Sequence, residues 1–415
     1  MRKSAQKRDA RASRATPERA RVMVVAPPCA DGARARDRAA WARFDAAVGA
    51  RDGGADGAGA REATRVSDAA AAARLNAWGY VVVEDAVARE EDVERGRRLA
   101  RRARALRDAG ADPTWTLVSD DAWALLKSAR MRLEGGVFGS LRMNYDALCW
   151  VVDPTTDART SAFCPHRDRQ PEDSPGSFRA DGTAKYVTAW IPLGYDATTR
   201  NSCLYCIPRP QDPGYYVGDD DDGDDPMRVA LSTKASYQHI RALPCKVGGA
   251  VCFTHRLIHW GSVGEGEPGE PRINISCGFA DDSYEPAYLK ERPDFPTFEE
   301  RLALIAGQLI CYHERFPSTS KELAMLKSLF DDAKSSFDEA YIRKVYKEFA
   351  AAAFEAHSDS DDEDAIEGAL DAMLEQADDF EDDFDDFEDG VHGDAFGRAH
   401  ESDSEGRDAS KRAKR

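Results

Sequence analysis

His166-Arg-Asp168 is the feature of this sequence best suited to chemistry. On an extended strand, residues two apart project to the same face, so one imidazole and one carboxylate can reach a single metal ion. A third ligand has to come from elsewhere, and His239, His255 and His259 are the candidates. Two His and one carboxylate, with positions left open, form the facial triad of non-haem Fe(II) sites. The open positions let a co-substrate and O2 bind side by side. Thirteen residues beyond His259, Arg272 begins another apolar strand. A guanidinium on a neighbouring inward-facing strand can hold a carboxylate through two parallel hydrogen bonds, which suits the far end of a keto-diacid whose other end chelates iron.

The elements that must carry these residues are short. Ala147–Val152, Tyr186–Ile191, Cys203–Ile207, Ala250–Phe253 and Arg272–Phe279 are apolar runs of strand length, rich in β-branched and aromatic residues and broken by Pro, Gly, Asp and Asn. Several such strands separated by turn signals indicate a β-sandwich or barrel. Upstream, a short helix carrying Leu75 leads into the buried strand around Trp78–Val83; Glu90–Asp108 and Asp121–Ala129 read as helices. Between Thr297 and about Phe354 the pattern is helical again, with cap residues at Ser318–Glu322 and Leu323, Leu326 and Leu329 at intervals of three.

The chain has 415 residues, 42% of them hydrophobic and 32% charged, with a net charge of -18. That acidity describes a tail: Glu355–Glu405 is crowded with Asp and Glu and holds Arg398 alone against them. It therefore says nothing about the sign of an active site. Residues 1–66 are rich in Arg, Ala, Gly and Asp and read as a disordered basic arm. The organisation expected is this arm, a β domain over 67–290, a helical extension over 291–357 and a disordered acidic tail over 358–415.

Nine scattered Cys argue for reduced thiols in an intracellular protein. Cys203 and Cys206 form a CxxC without a second close pair, and read as strand residues rather than a zinc site. Gly218–Asp225 lacks the spacing of a calcium loop and reads as a solvated insertion. No run reaches the ~18 apolar residues needed for a membrane span. The Arg-rich start resembles an organellar transit peptide, against which stand Asp9 and Glu18; cytoplasmic and organellar locations are both open. Lys411–Arg415 is a candidate nuclear signal, but no basic patch interleaved with aromatic residues points to nucleic acid. Phe380, Phe384 and Phe387 within the acidic run are a candidate motif for a protein partner.

Taken together, the chain resembles the phytanoyl-CoA hydroxylase (phytanoyl-CoA dioxygenase) family of Fe(II)/2-oxoglutarate-dependent oxygenases over roughly residues 70–285. The likeness runs through Leu75-Asn-Ala-Trp-Gly-Tyr-Val-Val-Val-Glu-Asp85, His166-x-Asp168, Val187-Thr-Ala-Trp-Ile-Pro-Leu193, Asn201 with Leu204-Tyr-Cys-Ile-Pro208, His259-Trp-Gly-Ser262 and Arg272. It implies a mainly β fold with flanking helices: a double-stranded β-helix, or jelly-roll, core with a C-terminal helical segment and disordered tails. It implies iron held by His166, Asp168 and His259, and 2-oxoglutarate held by Arg272. Ser262 is implied as a helper at that carboxylate, Trp190 as a wall of the cofactor pocket, and Arg142 as a contact for co-substrate or substrate. O2 is the oxidant, with ascorbate a candidate accessory. The reaction implied is hydroxylation of a C–H bond in a small molecule or acyl derivative, with release of succinate and CO2. The alternative is a non-catalytic jelly-roll module acting through its acidic tail.

The chain departs from the family pattern in three places. Ser202-Cys203 follows Asn201 where the family has Asn-Gly, and Pro208–Gly214 replaces a Pro-Gly-Ser-His turn. Trp260 lengthens the His-Gly-Ser signature, which keeps His255 as a rival to His259.

Overall fold

Each apolar run in the middle of the chain forms a strand, and together they stack into two sheets. The structure is a computed structural model and describes residues 26–49, 67–153, 164–168, 176–217, 227–261, 270–315 and 318–358. The strands are β1 (Tyr80–Val83), β2 (Arg142–Val152), β3 (Tyr186–Pro192), β4 (Leu204–Ile207), β5 (Arg241–Leu243), β6 (Ala250–Thr254), β7 (Ile258–Gly261) and β8 (Arg272–Ala280). All pair antiparallel. The larger sheet runs β1-β6-β3-β8-β2 and the smaller β5-β4-β7.

Successive strands β6 and β7 lie in different sheets, so the chain crosses from one sheet to the other at residues 255–257. One apolar cluster joins the two: Tyr80, Trp190, Val251 and Phe253 from the larger sheet meet Leu204, Cys206 and Leu243 from the smaller, with Cys203 beside them. Alternating side chains let both sheets contribute one face to this shared core. The result is the jelly-roll core with flanking helices. Cys203 and Cys206 are fully buried in the cluster, and all nine cysteines are unpaired.

Helices cover the sheets. In the described part of the chain before β1 are α1 (Gly32–Ala35), α2 (Arg38–Gly49) and α3 (Asp68–Trp78); between β1 and β2 are α4 (Glu90–Asp108) and α5 (Asp120–Leu133). A one-turn helix, α6 (Met227–Ala230), precedes β5. After β8 come α7 (Phe298–Cys311), α8 (Ser320–Asp331) and α9 (Glu339–Ser358). Thr297 with Glu300, and Thr319 with Glu322, close reciprocal capping boxes on α7 and α8, satisfying amide donors that a helix start leaves open.

The reading of residues 1–66 as unstructured is corrected for 26–49. Asp31 caps α1 by accepting from Ala33 N and Arg34 N. Trp41 and Phe44, three apart on α2, share a buried face. Trp41 stacks on Trp115 at 6.0 Å between ring centroids, and the Arg102 guanidinium lies 4.9 Å from the Trp41 ring while pairing with Asp45. Two large aromatic residues dock the helix; the surrounding Arg and Ala conceal them in any average over composition. The rest of the basic arm, the Asp-rich insertion at 218–226 and the acidic tail from 359 lie outside the described residues. The described residues up to Ala356 belong to one compact unit. No helix among the described residues is long and apolar enough to cross a membrane.

Candidate active site

His166 and Asp168 sit on a short extended segment laid against the corner between β6 and β7. His166 N donates to His259 O at 3.1 Å, His259 N donates to His166 O at 3.0 Å, and Asp168 N donates to His255 O at 3.0 Å. This backbone pairing puts His166 directly opposite His259. Their ring centroids are 4.4 Å apart. Ligand atoms of His166, Asp168 and His259 all lie within 4.8 Å of one another. Both imidazole Nε2 atoms face Asp168 Oδ1, at 3.6 and 3.5 Å.

The surroundings orient each ligand atom. His166 Nδ1 is 2.8 Å from Cys164 O, and His259 Nδ1 is 3.0 Å from Leu257 O. A proton on each Nδ1 satisfies that carbonyl and leaves the Nε2 lone pair aimed at the centre of the triad. Thr188 Oγ1 donates to Asp168 Oδ2 at 2.9 Å, which leaves Oδ1 as the inward oxygen. Burial lowers the pKa of His259 to about 4, so its imidazole is neutral, the form that ligates metal, at ordinary pH.

His255 faces elsewhere. β6 ends at Thr254, and Leu257 N donates back to Thr254 O in a tight turn, so His255 and His259 do not share one regular strand. The fully buried His255 ring packs among Phe178, Tyr186 and Tyr284, with Nδ1 3.2 Å from Tyr186 O. His239, on the turn Ser236–His239, is outside the metal-binding group.

Arg167 projects away from its two neighbours, as alternation requires. Its guanidinium meets Asp212 through two hydrogen bonds of 2.5 and 3.0 Å and donates to Arg256 O at 2.6 Å. Both side chains of the pair are 1% exposed. Arg256, also buried, donates to Tyr215 O and Gly214 O. The loop at 212–215 is thus fastened to the back of the metal-ligand segment.

A cavity opens in front of the triad. His166, Asp168, Thr188, Trp190, His259, Gly261 and Arg272 line it. Arg272, at the start of β8, is 3% exposed and lies 5.6 Å over the Trp190 ring. Its Nε has no hydrogen-bond partner, and no carboxylate among the described residues pairs with it. Burial draws its pKa down to about 10. Arg142 is a correction: it is exposed at the head of β2, donates to Gly139 O and Leu141 O, and is absent from the cavity wall. Ser262 lies outside the described residues.

Comparison with known families decides the identity of this arrangement. The profile described as Phytanoyl-CoA dioxygenase (PhyH) matches residues 55–262, half of the chain. The chain belongs to the phytanoyl-CoA dioxygenase family. Solved structures similar to this family member include the non-haem α-ketoglutarate-dependent epimerase SnoN from nogalamycin biosynthesis, at 18% identity over 52% of this chain and 80% of that one, with a TM-score of 0.32. AviO1 from Streptomyces viridochromogenes Tue57 matches at 17% identity over 54% and 99%, with a TM-score of 0.37. EctD from S. alaskensis matches at 17% identity over 54% and 81%, with a TM-score of 0.35. No curated protein matches the chain. The dioxygenase family brings iron and 2-oxoglutarate as cofactor and co-substrate, and the residues suit both. Two imidazoles and a carboxylate converge on one point, and a buried cation with no anionic partner among the described residues stands beside them.

The far wall of this dioxygenase's cavity was not visible in the sequence. β2 changes register between Met143 and Ala147, and Tyr145 there has φ 70, rare for an aromatic residue. Just beyond this irregularity, Asp146 lines the cavity together with Leu148 and Trp150, which share its face of β2. Asp146 accepts from Tyr186 Oη at 2.9 Å, Gln308 Nε2 at 2.5 Å and Tyr312 Oη at 3.3 Å. Gln308 lies on α7; Tyr312 and Arg315, which follow it, also line the cavity, beyond the matched stretch. Thr188, by contrast, could have been found: it stands two residues before Trp190 and shares its face.

Proposed function

We propose that this family member is an Fe(II)- and 2-oxoglutarate-dependent dioxygenase that hydroxylates a C–H bond of a small molecule or acyl derivative. The observation that carries this reading is Arg272, a buried guanidinium without a carboxylate partner among the described residues, on the wall of the cavity that holds the His166–Asp168–His259 cluster. A buried unpaired charge is strongly unfavourable in a fold that gains nothing from it. A dicarboxylate ligand supplies the missing partner.

His166 Nε2, Asp168 Oδ1 and His259 Nε2 would hold the iron on one side and leave the other open to ligands. When bound, iron supplies the activation of O2, coupled to decarboxylation of the keto-acid to succinate and CO2. Thr188 keeps the Asp168 carboxylate turned toward the metal, and the two carbonyls on Nδ1 keep the imidazoles in the ligating tautomer. Arg272 fixes the far carboxylate of 2-oxoglutarate, and Trp190 holds that guanidinium in place from its other side. The wall built from Asp146, Tyr186 and Tyr312 is left for the substrate. A non-catalytic module has no use for an intact ligand set with an unpaired Arg beside it.

The test is succinate release from 2-oxoglutarate under Fe(II), screened against fractions of a metabolite extract. Stimulation by one fraction, absent in Asp168→Ala, supports the reading. Full 2-oxoglutarate turnover by Asp168→Ala would sink it.

A further inference from the structure

We infer that Ser202 is a second donor to the carboxylate received by Arg272; the inference rests on the reading of 2-oxoglutarate as co-substrate. Two oddities coincide at this residue. The first is its backbone: Ser202 has φ 66 and ψ 52, the left-handed conformation that glycine adopts without strain and Ser does not. The turn before it imposes this conformation. Asn201 Oδ1 accepts from Thr198 N at 2.7 Å, Asn201 Nδ2 donates to Asp196 O at 2.9 Å, and Cys203 N donates to Thr198 O at 2.8 Å. The second oddity is the side chain. Ser202 is fully buried and its Oγ has no hydrogen-bond partner. Buried hydroxyls are nearly always satisfied, and an orphan calls for a reason. Glycine at this position would remove both penalties, so nothing in the fold itself accounts for Ser.

The location supplies the reason. Leu204 is paired with Gly261, and Ser202 stands two residues before Leu204. Gly261 stands two residues after His259 on β7 and so shares its inward face. A Cβ on Gly261 would lie 3.3 Å from Ser202 Oγ, 3.3 Å from Arg272 Nη1 and 3.6 Å from Arg272 Nη2. The space over Gly261 is therefore bounded by an unpartnered hydroxyl on one side and the guanidinium on the other, and both Gly261 and Arg272 line the cavity. A carboxylate seated there takes two N–H donors from Arg272 and one O–H donor from Ser202. The missing side chain of Gly261 makes the room. A 2-oxo acid without a distal carboxylate does not reach this group.

Calorimetric titration of 2-oxoglutarate and of pyruvate into the anaerobic Fe(II)-loaded full-length protein tests the assignment, in wild type, Ser202→Ala, Ser202→Gly and Arg272→Leu. Both Ser202 variants should bind 2-oxoglutarate about tenfold to hundredfold more weakly, as expected for a lost hydrogen bond to a charged group. Pyruvate should bind all four proteins alike. Without ligand, Ser202→Gly should melt at or above the wild-type temperature, because it sheds both the backbone strain and the orphan hydroxyl. Wild-type affinity in both Ser202 variants overturns the inference, as does a loss confined to Ser202→Ala, which would trace to the backbone. Wild type that fails to bind 2-oxoglutarate, or Arg272→Leu that binds it normally, would instead overturn the co-substrate reading on which the inference rests.

Discussion

Two buried arginines stand on opposite sides of the metal ligands, and the contrast between them separates what holds this protein together from what it offers to a ligand. Behind the ligands, Arg167 is matched with Asp212 and with the Arg256 carbonyl. In front, Arg272 has an aromatic ring for company and no anion among the described residues. Both guanidinia have lost their water. One is repaid within the fold, and the other waits for a charge from outside. A polar group whose partners are all present is architecture; a buried one whose partner is missing marks a binding site.

The contrast makes opposite predictions for substitutions that look alike. Arg272→Leu removes a charge that the unliganded fold does not use. Turnover of 2-oxoglutarate should fall by at least about a hundredfold, while the melting temperature stays level or rises, since a buried unpaired charge opposes folding. Succinate release and a thermal melt on the same sample check both halves; a large loss of stability would mean that Arg272 is structural. Asp212→Ala does the reverse by taking from buried Arg167 the carboxylate that pairs with it. It should cost about 3–5 kcal/mol of stability, read from the denaturant midpoint. Replacing the pair together, Arg167→Met with Asp212→Leu, should recover much of that loss, and failure to recover would show that the pair does more than neutralise itself.

Smaller effects refine the front side. Thr188→Val keeps shape but removes the donor to Asp168 Oδ2. Iron affinity, measured by competition with a chelator, should weaken about tenfold to a hundredfold, with the melt nearly unchanged. Arg142→Ala should do least. Its side chain is exposed and bonded to nearby carbonyls, so stability should move by less than about 0.5 kcal/mol, and the KM for 2-oxoglutarate should not move at all. A raised KM would return Arg142 to the site from which the structure removes it.

Much of the front side was legible as spacing. His166 and Asp168 declare a shared face by being two apart, and Thr188 and Trp190 repeat that relation on β3. Arg272 announces itself by opening an apolar strand. The preference for His259 over His255 came from the family resemblance; alternation could not supply it, because residues four apart face the same way on a regular strand, and a turn in fact separates these two. Asp146 was hidden for another reason: it stands just before the apolar run Ala147–Val152, although it shares a face with Leu148 and Trp150, which line the same cavity. Tyr312 and Arg315 reach the cavity through helix α7, and their sequence separation from the triad carries no trace of that approach. Helix α2 was missed because composition averages away Trp41 and Phe44, the two side chains that dock it.

By itself, then, the sequence determined the chemistry: a His-x-Asp pair, a distant His, an Arg beyond it, and the strands and family to which they belong. These follow from local rules, since residue type and a period of two are written along the chain. Tertiary structure alone decided that His255 turns away from the triad, that Arg272 has no carboxylate partner among the described residues, and that Asp146 and Tyr312 line the same cavity. Those facts depend on turns, bulges and packing between distant segments. Whether a buried polar group is satisfied is a property of the space around it, and no stretch of sequence contains that space.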